Sequence, residues 1–125
     1  MPRSTPVKIK WLRDVEEHDY VAAESYLNLI YRKKDVTRMV ARLKDTSVVR
    51  FKAKDIFRAS RLSLLGVSNS HVEKDRKKIR AGQSLSPLLL LRDELHGNVV
   101  IADGYHRLCA IYGFDEDAWI YARIA

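Results

Sequence analysis

The stretch Val100-Ile101-Ala102-Asp103-Gly104-Tyr105-His106-Arg107-Leu108-Cys109-Ala110, VIADGYHRLCA, decides how the rest of this chain is read. An apolar run stops at Asp103-Gly104, the side chains of His106 and Arg107 follow, and a helical pattern begins. A strand that turns directly into a helix presents the helix's unpaired N–H groups and a partial positive charge at the turn. Such a turn is a natural seat for an anion, most commonly phosphate. Gly104 lets the backbone approach the ligand because it has no Cβ. Arg107 can fork two oxygens and His106 can donate one hydrogen bond. Asp103 suits either a helix cap or a magnesium ion held through water. The plainer alternative is an Asp-Gly turn followed by exposed polar residues, and the spacing by itself favours neither.

Working outward, Asn98 to Ala102 reads as a strand reached through a hairpin turn over residues 93–98. Before it, Leu85 to Leu91 is an apolar run that suits a strand buried on both faces. After it, Tyr105 to Tyr112 reads as a helix with Leu108, Ile111 and Tyr112 inward and Gly113 as its stop, and Ala118 to Ile124 as a last strand. Upstream, Ser47 to Phe51 is strand-like, Asp55 is placed to cap a short helix, and Leu62 to Asn69 reads as a loop punctuated by Gly66. Ser70-His71-Val72-Glu73 has the form of a capping box opening a charged helix that stops at Gly82.

The first part of the chain reads differently. Pro2 and Pro6 precede a short VKIKWL segment (residues 7–12) that suits an edge strand. A helix capped by Asp19 follows, with Ala22, Tyr26, Leu29 and Ile30 on one face and Arg32, Lys33 and Lys34 closing it. A second helix is capped by Asp35 and carries Val36, Met39, Val40 and Leu43 at i, i+3, i+4 and i+7. The stripe of this helical hairpin is read as core packing rather than a partner groove. Helices first and then β-α-β-β-α-β predict an α+β fold with a mixed sheet, in one domain over residues 1–125.

Composition bounds the function classes. With 46% hydrophobic and 31% charged residues among 125, the chain fits a globular domain rather than a disordered one. No apolar run reaches the roughly 20 residues that span a bilayer, and the start carries no secretory pattern. One cysteine, Cys109, allows no internal disulfide, and its helical position suits a small core residue. The expectation is a cytoplasmic protein without a membrane partner. The net charge of +7 is uneven: residues 1–60 hold fourteen Lys and Arg against eight Asp and Glu, residues 61–125 nine against eight. A basic first half suits a polyanion partner, and equally a solvated helical surface.

Residues 104–110 resemble the G-x-x-R-x-x-A box of the ParB/sulfiredoxin superfamily, and the ADGYHR form is most similar to its free-standing ParB-like members. The order of elements over residues 48–125 agrees, and Gln83 to Leu90 resembles the family's "G-x-L-x-P-I-x-V" strand entry. The resemblance implies a ParB/sulfiredoxin-like mixed sheet over residues 46–125, with residues 1–45 as a helical extension. It further implies nucleotide binding, since the family's box helix holds CTP in partition proteins, ATP in sulfiredoxin and ATP or ADP in free-serine kinases. Carried over, Gly104, His106 and Arg107 contact phosphates, and Ser70 and His71 match a second phosphate-facing position where the family commonly has Lys. Tyr105 stands where sulfiredoxin needs its cysteine, and a phenol cannot replace that thiolate, so sulfinic-acid reduction is not expected. Partition proteins continue into helix-turn-helix and dimerisation regions to which the resemblance over residues 48–125 does not extend, so DNA loading of that kind is not expected.

Two functions follow as expectations. The first is a nucleotide-binding domain taking ATP or CTP with Mg2+ at the Asp103–Arg107 turn, with nucleotide hydrolysis or phosphotransfer to a small molecule as its enzymatic extension. There His106, Asp103 and Asp55 are the catalytic candidates, and Glu24 is remote in sequence. The alternative is a non-catalytic adaptor that docks a partner through the helical hairpin or binds nucleic acid through the basic residues 32–44. The identity of the nucleotide and the oligomeric state are not encoded in any motif of the sequence.

Overall fold

A computed structural model describes residues 8–64 and 69–125. The short strand β1 (Lys10–Trp11) leads to α1 (Glu17–Leu27), α2 (Lys33–Asp45), β2 (Val49–Lys52) and α3 (Ala53–Ser60). Then come α4 (Ser70–Arg80), β3 (Ser84–Leu85), β4 (Leu88–Asp93), β5 (Asn98–Asp103), α5 (Tyr105–Phe114) and β6 (Trp119–Ile124). The main sheet runs β2-β6-β4-β5, with β6 and β4 parallel and the outer pairs antiparallel. The sheet is therefore mixed and the fold α+β. β1 and β3 form a separate parallel pair. Pro2, Pro6, Val7 and Gly66 lie outside the described residues. Among the described residues no helix is long and apolar enough to cross a membrane.

The run LLLLRD of β4 explains the layering. Successive side chains of a strand point to opposite faces, so four consecutive leucines require cover on both. Leu88 and Leu90 join Ala53, Ile56, Val72, Ile79, Leu108 and Ile111 in one core, under α3, α4 and α5. Leu89 and Leu91 join Tyr20, Ala23, Leu27, Val36, Val40 and Leu43 in a second core, under α1 and α2. The N-terminal hairpin is therefore the cover of a sheet face rather than an extension beside a finished domain. Tyr31 ties it to the sheet by donating to Asp93 at 3.1 Å.

Several local expectations are corrected. α1 buries Asp19, Tyr20, Ala23 and Leu27, whereas Tyr26, Leu29 and Ile30 are exposed. Its apolar residues lie all round the helix, so composition does not choose a face; contact with β5 does. Asp19 lies inside the first turn and not at the cap, which is Glu16. Arg32, Lys33 and Lys34 open α2 instead of closing α1, since α1 ends at Leu27. Asp35 and Asp55 also fall inside first turns, because each helix starts earlier than an acidic cap would require. In α4 the cap is Asn69, whose Oδ1 accepts from the N–H groups of His71 and Val72 at 3.0 and 3.2 Å. Glu73 lies instead beside Arg76 and Arg80. Gly113 does not stop α5, which runs to Phe114. The α2 stripe is as expected, with Val36, Val40 and Leu43 buried and Met39 packed on the second core.

Candidate functional site

At the C-terminal end of β5 the ladder with β4 is irregular: Leu90 pairs with Ile101, but Leu89 pairs with Asp103. The extra residue, Ala102, makes a bulge, a device that re-aims the next side chain. Ala102 and Leu89 both belong to the hairpin-side core, and Asp103, opposite Leu89, is turned to the same side. Gly104 then caps α5 with φ 105°, in the left-handed region. A Cβ there would lie 2.5 Å from Leu88 Cγ and 3.0 Å from Arg107 Nη2, so conformation and space both demand glycine. No side chain caps α5, and its first ladder bond is Leu108 N–H to the Gly104 carbonyl.

Arg107 reaches from α5 across the end of the sheet. Its Nη2 lies 3.0 Å from Asp103 Oδ2, 3.4 Å from Asp19 Oδ2 and 3.5 Å from the Pro87 carbonyl. Asp19 is 4% exposed, and a carboxylate so buried needs a partner. It has two: Arg107, 88 residues away in the chain, at 3.4 Å from Oδ2, and the exposed His18, whose Nε2 lies 3.2 Å from Oδ1. Burial pushes the Asp103 carboxyl above its ordinary range and Asp19 adds to the rise, while Arg107 pulls it down. The guanidinium thus arrives at the turn with its charge already met by two carboxylates.

His106 and His71 converge. Their ring centroids are 4.9 Å apart, which brings the N-terminal turn of α4 beside that of α5. Burial holds the His106 imidazole below its ordinary value, and His71 lowers it further. Asp75, one turn along α4 from His71, raises it. Burial also pushes the Asp75 carboxyl up, against the pull of Arg107, Lys78 and His106. A cleft of about 370 Å³ opens beside the turn, lined by Gly104, Tyr105, His106, Leu62 and, from α1, Ala22 and Tyr26. The Tyr105 hydroxyl donates to the Ser63 carbonyl.

Gly104 and His106 therefore line the cleft, while Arg107 lies beside Gly104 and His71 beside His106, both outside its lining. Ser70 is exposed at the first position of α4, beside His71. Asp55 is not brought in: it lines a separate cleft with Phe51, Arg92 and Val99. Glu24 lies on α1 outside the residues that line the cleft at the turn. Cys109 is buried in the first core, as a small core residue. At Asp103, the residue expected to hold a magnesium ion through water, Oδ2 accepts from the Arg107 guanidinium at 3.0 Å. Among the described residues no group of three ligating side chains is placed to hold a metal.

Three residues of this site do not read as site residues in the sequence: Asp19, placed as a helix cap, Tyr26, placed on a packing face, and Asp75. Only Asp19 carried a usable signal. It lies four residues before Ala23 and eight before Leu27, so a charge shares the stripe that is buried, and such a charge demands a counter-ion. Compared with protein-family models, curated proteins and solved structures, the chain matches none.

Proposed function

We propose that this protein is a nucleotide-binding domain of the ParB/sulfiredoxin-like kind, taking ATP or CTP in the cleft between α1 and the start of α5. The observation that carries the reading is the His71–His106 pair at two converging helix starts, opening beside a cleft of nucleotide-compatible size. Phosphate oxygens fit the uncapped N–H groups after Gly104 and the two imidazoles. Tyr26, Tyr105 and Leu62 give the cleft an apolar, aromatic wall for a base. In this reading Arg107 is a positioning residue, holding the turn against Asp19 and Asp103. Mg2+ would travel with the nucleotide and needs no carboxylate cage.

Calorimetric titration with the four ribonucleoside triphosphates and with inorganic phosphate, each with and without Mg2+, tests the proposal. One triphosphate is expected to bind above the rest, and His106→Ala to weaken it about tenfold or more, the scale of a hydrogen bond to a charged group. Affinity is expected to rise as pH falls from 8 to 6, because a phosphate favours the protonated imidazole that burial disfavours. No binding by any nucleotide, or equal binding by His106→Ala and Tyr26→Ala, overturns the assignment. The adaptor alternative keeps one specific support: Arg32, Lys33, Lys34, Arg38 and Arg42 are all exposed along α2.

A further inference from the structure

The hairpin covers only part of its sheet face. On β6, Ile120 and Ala122 enter the first core, so Trp119 and Tyr121 point to the hairpin side. Across the ladder Lys52 stands opposite Trp119 and Arg50 opposite Tyr121. The hairpin-side core draws its strand residues from β4 and β5, with none from β2 and none from residues 119–121. The border is marked by Arg123, whose guanidinium is taken up by Asp14 at 2.9 Å. Beyond it the second core supplies no cover; Trp119 is exposed, and Tyr121 is half-buried with Trp11 of β1 against it.

What this half carries is not the mixture of an ordinary surface. Trp119 is 41% exposed, with Arg50 Cζ 4.3 Å and Lys52 Nζ 4.4 Å from its ring centroid. The Tyr121 ring lies 5.6 Å from that of Trp11, centroid to centroid. Trp11 and Tyr121 in turn line a groove of about 690 Å³ with Lys8, Lys10 and Arg13 and no acidic residue. Asp117 is engaged by Lys54 at 2.6 Å and Asp14 by Arg123 at 2.9 Å. Trp119 and Tyr121 thus share one face of β6, and Trp11, half-buried on β1 and packed also on the first core, adjoins Tyr121; five cations flank the three rings.

From this arrangement we infer that this half of the sheet, Trp119–Tyr121–Trp11 with Arg50, Lys52, Lys8, Lys10 and Arg13, is a binding platform for single-stranded nucleic acid. The cations match a phosphate backbone, and the rings offer faces on which unpaired bases stack without regard to sequence. A duplex hides the base faces that the rings would take, and an acidic peptide has no use for aromatic rings. Arg50 and Lys52 lie over the Trp119 ring without a base; with one, the base takes the ring and the cations turn to phosphates. The platform is separate from the cleft at Gly104 and does not depend on the nucleotide reading. It also differs from the basic run of residues 32–44, which offers charge without an aromatic side chain.

Trp11 and Trp119 are the two tryptophans of the chain, so its intrinsic fluorescence reports on this surface. The whole protein is titrated with twelve-nucleotide oligo(dT) and oligo(rU), a duplex of equal length, and polyphosphate of equal charge. Quenching by a single strand is expected, with the duplex bound at least about tenfold more weakly, and Trp119→Ala lowering single-strand affinity about tenfold. Arg50→Gln with Lys52→Gln lowers the affinity and its dependence on salt, Arg50 being exposed and Lys52 half-buried with its Nζ donating to the Asp117 carbonyl at 3.0 Å. The two oligonucleotides differ in sugar and in the C5 methyl of the base, oligo(dU) separates the two contributions, and preference for any of the single strands supports the platform. The inference is overturned if polyphosphate quenches and binds as well as the oligonucleotides, or if Trp119→Ala binds like wild type. It is equally overturned if charge reversal at Arg32, Lys33 and Lys34 abolishes binding while the Arg50 and Lys52 changes leave it intact.

Discussion

The two faces of the central sheet are covered in different ways. The face under α3, α4 and α5 is packed from β2 across to β5, with Phe51, Ile120, Leu90 and Ile101 all engaged. The face under α1 and α2 is packed over β4 and β5 and left open over β2 and the start of β6. The first face has cover drawn from segments between and beside its strands. The second borrows cover from the beginning of the chain, and two helices are too few for four strands. The cleft lies where the two covers meet, over the end of β5; the aromatic and basic platform lies where one of them stops. Full packing makes stability, and both candidate binding surfaces lie at its margins.

The comparison breaks if the hairpin proves to be an accessory. Leu43 and Leu108 are both completely buried, one in each core. Leu43→Ala and Leu108→Ala are each expected to cost about 2–5 kcal/mol, read as lost midpoint in urea unfolding with an unchanged slope. A Leu43→Ala protein that melts its hairpin early and retains the main transition would show two units where the layering demands one.

A smaller effect tests the connection between the covers. Arg107→Ala leaves Asp19 buried without its guanidinium, with the exposed His18 imidazole as its remaining partner. A fully buried pair loses about 3–5 kcal/mol when one partner is removed; with its side chain 17% exposed, Arg107 is expected to cost about 2–3 kcal/mol. Asp19→Asn should recover part of that loss in the double variant, since the buried charge is then gone. Urea unfolding of the four proteins in the cycle measures this, and simple additivity would show that the two residues do not act on each other.

The smallest effect is one of pH. Asp75 and Asp103 have carboxyls raised by burial, so each binds its proton more tightly folded than unfolded. Their contribution to stability is fully present at low pH and declines as pH rises above about 3.8, through the raised folded values. Asp14, Asp93 and Asp117 are lowered and act oppositely, losing stability as pH falls below that value. Asp75→Asn is therefore expected to raise the thermal midpoint modestly at pH 7 and to match wild type near pH 3. A midpoint that falls at pH 7 would show that the Asp75 charge serves the fold through its cationic neighbours.

The sequence by itself determined the elements and the need for two covers. The periodicity of α2, the alternation in β6, the apolar run of β5 and the four leucines of β4 are local, and they express how helices and strands point their side chains. The glycine at position 104 was also legible, because a strand-to-helix turn has few other solutions. Tertiary structure alone decided which face of α1 turns inward, since its apolar residues surround the helix and only the sheet selects among them. It decided that Arg107 meets Asp19 across 88 residues, that His71 comes to His106, and that Asp55 does not reach the turn. It also decided that Trp11 adjoins Tyr121, which shares a face of β6 with Trp119. Such meetings depend on strand order and on one bulged residue, and neither leaves a period or a spacing in the chain.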